Sequence, residues 1–248
     1  MTMRNLAIGL GAACLLMAAD PVKPGEPKQR VQVSKTEHID FPSGGTLRFK
    51  NSVGVLTVEA WDQPGVEFTT IKSTQAELDA GDREKGVHEL ERVKVTAERH
   101  GDELVIATMF PWHRPFGFIY PVSGRISFDL EYHIKAPANA RIIADHTLGD
   151  VNIDGLAGDI QVTLAQGEIM LHLPEEEKYS IHAKCKFGTV NSDFPGEVKR
   201  RPWLVGHQVE SDSAAAHKLD LKVGNGDIVI LKTRVPDAAP PAQKTDGL

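Results

Sequence analysis

Three glycines spaced nine residues apart constrain the fold of this chain more than any other sequence feature. Gly149, Gly158 and Gly167 are each followed by an acidic residue and then by two apolar residues separated by one position. Because side chains alternate across a β-strand, the two apolar residues of a unit point to the same face. Glycine permits a turn with positive φ before each strand. A short fixed period of this kind is typical of stacked β units.

Related units begin at Gly54, Gly188 and Gly226, at irregular separations. Insertions between repeats normally form surface loops on a solenoid. We therefore predict an all-β, single-domain β-solenoid or β-helix-like stack of short strands. An antiparallel β-sandwich is the alternative, because the nine-residue spacing also fits short hairpins. The residues predicted to face the core of the stack are Leu56, Val58, Val151, Ile153, Ile160, Val162, Ile169, Leu171, Val190, Ile228 and Ile230.

Two segments carry a resemblance to a known family. Residues 51–62, which read NSVGVLTVEAWD, resemble the opening of the bacterial putative-adhesin family of unknown function, also called the toastrack domain. Residues 132–137, YHIKAP, with the glycine–acid units that follow, are similar to the centre of that family. The resemblance extends over about residues 31–234. It implies a single solenoid-like domain at the cell envelope and no catalytic residues, because the family has no agreed active site.

The ends of the chain carry export and linker signals. Residues 1–19 combine Arg4, an apolar run over residues 6–17 and a small-residue Ala18-Ala19 site, the pattern of a secretory signal peptide. An uncleaved N-terminal anchor is the alternative. We predict a flexible leader at 20–30, the β-solenoid-like domain at 31–234 and a disordered, proline-containing tail at 235–248. These features predict an exported bacterial protein of the periplasm or cell surface.

The net charge of the chain limits its partners. A formal charge of −6 at pH 7 argues against nucleic acid, because phosphate binding requires a basic patch. It also argues against adhesion to anionic lipid, and no membrane insertion is expected after signal cleavage. The basic run at 199–201 is predicted to be a solvated turn. After signal cleavage Cys185 is the one cysteine left, which excludes an intramolecular disulfide.

An aromatic-rich segment is the candidate binding surface. Pro111, Pro115 and Pro121 exclude regular pairing in a central strand. Exposed aromatic side chains beside a solenoid would bind a glycan or an envelope protein. The alternative is a loop that plugs an open end of the core. The candidate contact residues are Trp112, His113, Arg114, Phe116 and Phe118.

No residue pattern predicts catalysis, a metal ion or a cofactor. His182 and Cys185 fall on opposite faces of a predicted strand, so they cannot bind one ion together. A polar cluster at 207–217 is predicted to be a surface loop inserted between strands. No nucleophile elbow and no phosphate-binding glycine loop is present in the sequence.

The acidic residues that follow the glycines are predicted to form a ladder along one edge of the stack and to cap turns. Calcium binding is the competing hypothesis for this ladder, because calcium prefers several oxygen ligands. Carboxylates are also the catalytic groups of enzymes that cleave polysaccharides. The ladder consists of Asp150, Asp159, Glu168 and Asp227.

Three further segments have predicted local structure. Residues 76–91 are highly charged and interrupted by Gly81 and Gly86, so we predict a loop with at most one helical turn. Residues 93–106 alternate in polarity around Gly101-Asp102 and predict a hairpin. Residues 179–187 alternate over their full length and predict a strand with Cys185 and Phe187 facing inward.

Together these observations predict a non-enzymatic, exported cell-envelope protein that acts as an adhesin, binding or envelope-sensing module. Its expected partner is an envelope protein or a glycan. The alternative function is a polysaccharide-active enzyme on a β-helix scaffold, since the fold alone does not choose between the two.

The signal-peptide pattern generates a direct prediction. Mass spectrometry of the protein purified from its native host should find an N-terminus near Asp20, because signal peptidase cleaves after small residues such as Ala18-Ala19. Recovery of a cytosolic protein with intact Met1 would contradict export.

Overall fold

The structure, a computed structural model, describes residues 28–110, 128–200, 206–211 and 215–233. The predicted signal peptide at 1–19, most of the leader at 20–30 and the tail at 235–248 lie outside the described residues. The five candidate contact residues between 112 and 118 also lie outside them.

The described part of the chain contains seventeen β-strands, the 3₁₀ turn Ala80–Asp82 and one α-helix, α1 (Arg83–Glu91). The strands up to the middle of the chain are β1 (Gln32–Ile39), β2 (Thr46–Val53), β3 (Val55–Trp61), β4 (Val66–Thr74), β5 (Lys94–His100), β6 (Glu103–Met109), β7 (Phe128–Pro137), β8 (Arg141–Leu148) and β9 (Val151–Asp154). The later strands are β10 (Ile160–Gln166), β11 (Ile169–Pro174), β12 (Tyr179–Phe187), β13 (Val190–Ser192), β14 (Glu197–Arg200), β15 (His207–Ser211), β16 (His217–Asn225) and β17 (Ile228–Thr233).

The strands form two sheets that enclose the core between them. Sheet I has the order β1-β4-β7-β3-β9-β11-β17-β13, and sheet II has the order β14-β15-β12-β16-β10-β8-β2-β6-β5. Six times, a strand of sheet II passes through a corner into a strand of sheet I, and we call each such pair a rung. In chain order, rungs 1 to 6 are β2–β3, β6–β7, β8–β9, β10–β11, β12–β13 and β16–β17.

Neighbouring rungs pair in parallel in both sheets. This arrangement confirms the predicted all-β, solenoid-like stack rather than an antiparallel sandwich. The spatial order of the rungs is 5-6-4-3-1-2, so rung 6 is inserted between rungs 4 and 5, and rung 1 between rungs 2 and 3. The sheets continue past the end rungs with antiparallel strands: β4 and β1 beyond β7, β5 beyond β6, and β15 and β14 beyond β12.

Five glycines occupy one corner of the stack and lie above one another. In spatial order this corner-glycine column is Gly54, Gly149, Gly167, Gly226 and Gly188, with φ between +95° and +137°. A Cβ atom placed on any of the last four would lie 1.8–2.0 Å from the carbonyl oxygen of the glycine before it in the column. A side chain is therefore excluded by both backbone conformation and backbone contact.

Gly158 occupies the opposite corner, where a Cβ would lie 2.1 Å from the carbonyl oxygen of Ala140. The nine-residue spacing is therefore half a rung, and the full rung repeats between Gly149 and Gly167. Interpreting the three glycines as equivalent turns was wrong, because each rung has two corners.

The residues predicted to face inward from the glycine units are all buried, from Leu56 and Val58 to Ile228 and Ile230. The inner faces of both sheets meet in one hydrophobic cluster, which is the main source of stability for a fold of this kind. Phe187 is an exception to the predictions, because it stands at the end of β12 and 45% of its surface is exposed.

Two predicted loops are regular structure. Residues 83–91 of the charged segment form α1, which packs against β1 and β4. Gly86, interpreted as a helix breaker, lies inside this helix and is buried, and a Cβ there would be 2.6 Å from Leu78 Cδ1. Residues 207–211 form β15, which pairs with β12 and β14, so the prediction of a surface loop there was wrong. The predicted hairpin is confirmed as β5–β6.

Replacing glycines with alanine separates the two effects that act at the corner column. Gly167→Ala should lower the free energy of unfolding by more than about 3 kcal/mol, since left-handed strain of roughly 1–2 kcal/mol adds to a backbone clash. Gly101→Ala, at φ +63° with open space around the Cβ position, should lose only the part of the free energy of unfolding that comes from left-handed backbone strain. Gly81→Ala, which has neither constraint, should be near neutral. Urea unfolding measures all three, and equal losses at Gly167 and Gly101 would contradict a close-packed column.

Candidate functional site

The two described residues that flank the segment predicted to bind a partner lie next to each other. Phe110 follows β6 and Phe128 begins β7, and their rings lie 6.3 Å apart between centroids. Both rings are partly buried and pack against the core. The two points at which residues 111–127 join the described part of the chain are therefore adjacent on the scaffold.

That place is the corner of rung 2, at the end of the corner-glycine column. A Cβ on Gly54, the first glycine of the column, would lie 1.9 Å from the carbonyl oxygen of Leu130 in β7. The other five rungs turn this corner within a few residues through a glycine, whereas rung 2 connects its strands through residues 110–127.

The acids beside the column hold neighbouring rungs together. Asp150 Oδ1 accepts a hydrogen bond from the backbone N–H of Glu168, 3.1 Å away. Asp227 Oδ1 accepts hydrogen bonds from both the backbone N–H and the hydroxyl of Thr189, at 2.6 and 2.7 Å. The Thr189 hydroxyl, followed by its amide, lowers the pKa of the Asp227 carboxyl. These carboxylates bridge successive rungs rather than capping their own turns.

Asp159 does not belong to this edge. Its Oδ1 accepts a hydrogen bond from the backbone N–H of Lys218 at 2.9 Å, and its other oxygen lies 3.7 Å from Arg141 Nε. Both partners are at the beginning of strands of sheet II, the corner that Gly158 occupies. The predicted single ladder is therefore two sets of inter-rung contacts at opposite corners. Among the described residues, no group of three or more histidines, cysteines or acids is arranged to bind a metal ion.

A buried histidine contacts the column from inside. His146, with 3% of its surface exposed, places Nε2 2.9 Å from the carbonyl oxygen of Gly54 and Nδ1 2.7 Å from Ser52 Oγ. Because a carbonyl only accepts, Nε2 carries the hydrogen and Nδ1 accepts from the serine hydroxyl. Burial lowers the pKa of His146, which keeps the ring neutral.

Cys185 makes the corresponding contact near the other end of the column. Its thiol lies 2.8 Å from the carbonyl oxygen of Gly226, to which it donates. Burial raises the pKa of this thiol, so it is a structural donor rather than a nucleophile. His182 lies on the outer face of the same strand, half-buried, as alternation predicted, and does not join Cys185 in a shared site.

A second polar contact in the core joins β6 and β7. The hydroxyl of Tyr132, whose side chain is fully buried, lies 2.6 Å from Thr108 Oγ1. Burial raises the pKa of Tyr132 to about 12. This hydroxyl is therefore a permanent hydrogen-bond partner at neutral pH and not an acid–base group.

The outer face of sheet II carries a feature that the sequence interpretation missed, which we call the basic groove. It consists of two adjoining depressions of about 290 Å³ each, and Lys184, Gln208 and Lys222 line both. The groove forms where the chain approaches β12 before β15 begins, with Gly206 so close that a Cβ would lie 2.5 Å from the Cys185 carbonyl oxygen. Its further lining includes Lys186, His207, Lys218, Asp220, Glu210 and His182.

The outer face of sheet I has a groove of about 340 Å³, and its ionisable lining residues are Glu59, Glu67, His133 and Lys135. Glu67 lies 2.9 Å from both Lys135 Nζ and His38 Nε2. The hydrogen bond from Lys135 lowers the pKa of Glu67, and the same contact raises the pKa of Lys135. Because Lys135 is paired with Glu67 and a second acid, Glu59, also lines the groove, it offers less to an anionic ligand than the basic groove.

The inter-rung role of Asp227 can be tested against a matched acid. Asp227→Ala should lower the free energy of unfolding by about 1 kcal/mol at neutral pH, because two hydrogen bonds to a carboxylate are lost. Glu168→Ala, at the equivalent position of rung 4, should stay within about 0.5 kcal/mol.

The difference between wild type and Asp227→Ala should shrink with acid. The pKa of this carboxyl is lowered in the folded state, so its contribution to stability is present above the usual aspartate pKa of about 3.9 and is lost as the pH falls through the folded value.

The calcium hypothesis is tested by thermal melts of the wild type, whose Tm should be the same with and without millimolar Ca²⁺. A calcium-dependent rise in Tm, abolished by Asp227→Ala, would contradict the structural role and support the calcium hypothesis.

One family model and several solved structures are similar to this chain. The family described as Toastrack DUF4097 matches residues 62–231, and the comparison with curated proteins gives no match. The chain is similar to the solved structure of a putative cell adhesion protein from Clostridium sporogenes, with 14% identity over 82% of this chain and 100% of that chain and a TM-score of 0.47. It is also similar to a putative adhesin from Bacteroides fragilis, with 8% identity over 81% of this chain and 97% of that chain and a TM-score of 0.27.

A third similar structure is a putative lipid binding protein from Parabacteroides distasonis, with 9% identity over 84% of this chain and 98% of that chain and a TM-score of 0.27. In the part of the chain that the structure describes, no helix is long and apolar enough to cross a membrane. The resemblance seen in residues 51–62 and 132–137 is confirmed by the family match, which covers more than half of the sequence. This chain belongs to the toastrack DUF4097 family.

Proposed function

We propose that this protein is an exported, non-enzymatic binding module of the bacterial cell envelope, of the adhesin type, and that residues 111–127 make its principal contact with a partner. The signal-peptide pattern of residues 1–19 supports export. The rungs are joined by close backbone contacts at one corner, which favours a rigid scaffold that presents a binding surface over a site that opens and closes during catalysis.

The observation that carries the proposal is the contact between Phe110 and Phe128. A long segment whose two ends are fixed on a rigid core is a frequent arrangement for binding residues. The segment contains Trp112, Phe116 and Phe118, large side chains that contribute much of the energy at protein interfaces. It also contains His113 and Arg114, which can form hydrogen bonds with a glycan or an envelope protein.

The alternative of a polysaccharide-cleaving enzyme has less support. Such an enzyme needs two carboxyl groups that face the scissile bond with different protonation states. Asp150, Asp159 and Asp227 each accept backbone N–H groups of a neighbouring rung, and the pKa of Asp227 is lowered rather than raised. A general acid requires the opposite shift.

Binding to intact cells tests the proposal. Fluorescently labelled mature protein should bind the surface of its native host. The triple variant Trp112→Ala/Phe116→Ala/Phe118→Ala should bind with at least tenfold lower affinity, since removal of an anchoring aromatic side chain costs roughly 2 kcal/mol or more of binding free energy. Phe187→Ala, an exposed aromatic at the other end of the stack, is the matched control. Circular dichroism verifies that each variant is folded. Equal binding by the triple variant and the control would overturn the proposed contact.

A further inference from the structure

The basic groove lies at the other end of the stack from Phe110 and Phe128, and its lining contains more lysines than acids. Lys184 and Lys222 are direct partners in the parallel pairing of β12 with β16, and both are exposed. Like charges on facing positions of adjacent strands destabilise a sheet. An arrangement with this cost is explained if an anion occupies the groove.

The ion pairs around the groove do not neutralise it. Lys222 Nζ lies 3.1 Å from Asp220 on its own strand. Lys184 and Lys186 take part in no ion pair with the described residues, and Lys186 instead lies over the ring of Phe187, 5.4 Å from its centroid. Four lysines line the two depressions together with two acids, in a chain whose overall charge is −6.

Strand β14 lies beside the groove at the edge of sheet II. The backbone register of β14 with β15 puts Lys199 opposite Gln208 and Arg200 opposite His207. These two residues belong to the basic run that sequence analysis interpreted as a solvated turn. They instead lie on a strand directly beside the groove.

We infer that the basic groove binds an acidic polysaccharide. The first depression, at Lys184, Lys186 and Lys222, offers ammonium groups to the carboxylates or sulfates of such a polymer. Gln208 lines both depressions, and the second adds Glu210 and His182; these side chains suit sugar hydroxyl groups because they include both donors and acceptors. The groove as a whole therefore matches a polymer that carries acids and hydroxyls along one chain.

Other anions fit less well. An anionic membrane presents negative charge over a wide, flat area, and a protein with a net charge of −6 is repelled by it beyond a small basic patch. The groove is recessed into the face of a sheet rather than raised for contact with a lipid surface. An extended, flexible chain can enter such a recess.

Isothermal titration with polygalacturonate at low salt tests the inference in the full-length mature protein. The wild type should bind, and Lys184→Gln/Lys222→Gln should weaken the affinity at least tenfold. Lys50→Gln/Lys94→Gln, which removes two exposed lysines from the other end of the same sheet, is the matched control and should bind like wild type. High salt should weaken wild-type binding, since exposed charges are screened.

The comparison ligands decide the class of partner. Neutral dextran should not bind, and vesicles containing phosphatidylglycerol should not bind. Equal affinity of the two double variants, equal binding of dextran, or binding to vesicles without binding to polygalacturonate would each overturn the inference. Because the aromatic triple variant leaves this groove intact, it should bind polygalacturonate like wild type, which separates this test from that of the proposed function.

Discussion

Along one corner of the stack, the carbonyl of one glycine faces the α-carbon of the next glycine. From Gly149 to Gly188 in the column, a Cβ atom built on each glycine would lie only 1.8–2.0 Å from the carbonyl oxygen of the glycine before it. Backbone atoms of adjacent rungs therefore meet directly, with the α-hydrogen facing the carbonyl in a weak C–H···O contact. Two further kinds of contact join the rungs beside the column. The glycine N–H donates to a backbone carbonyl of the neighbouring rung, as from Gly149 to Gln166 at 3.0 Å. The carboxylate of the following acid accepts a hydrogen bond from an amide of the next rung, as Asp150 does from Glu168.

The column also explains where polar side chains enter the core. The carbonyl of a column glycine is directed along the stack, and at Gly54 and Gly226 its oxygen accepts a hydrogen bond from a buried side chain. His146 serves the carbonyl of Gly54, and Cys185 serves that of Gly226. Each of these donors stands three residues before the corner glycine of its own rung. Leu164 and Val223 occupy the same position in rungs 4 and 6, so the polar donors are confined to two of the places where the position recurs.

Local sequence predicts the strands of this protein better than their order. Alternation alone identifies the buried faces, because Ile160 and Val162, or Ile169 and Leu171, must share a side whichever strand lies next to them. Gly149 and Gly158 have the same local pattern, but only Gly149 has positive φ, since the corner is decided by the rung stacked against it. The insertion of rung 6 between rungs 4 and 5 has no local signal. The basic groove depends on that insertion, which brings Lys222 beside Lys184, and so sequence analysis missed it.

The basic groove and the contact between Phe110 and Phe128 lie at opposite ends of one scaffold, and the stack between them depends on the contacts at the glycine corner. Hydrogen exchange of the corner-glycine amides measures this directly. The amides of Gly149, Gly167 and Gly226 donate to neighbouring rungs at 2.9–3.0 Å, so we expect them to exchange only through global unfolding, with the same free energy as amides at the centres of β8 and β10. Exchange of these glycines through local opening, at a free energy several kcal/mol below that of the strand centres, would contradict a corner that holds the stack together.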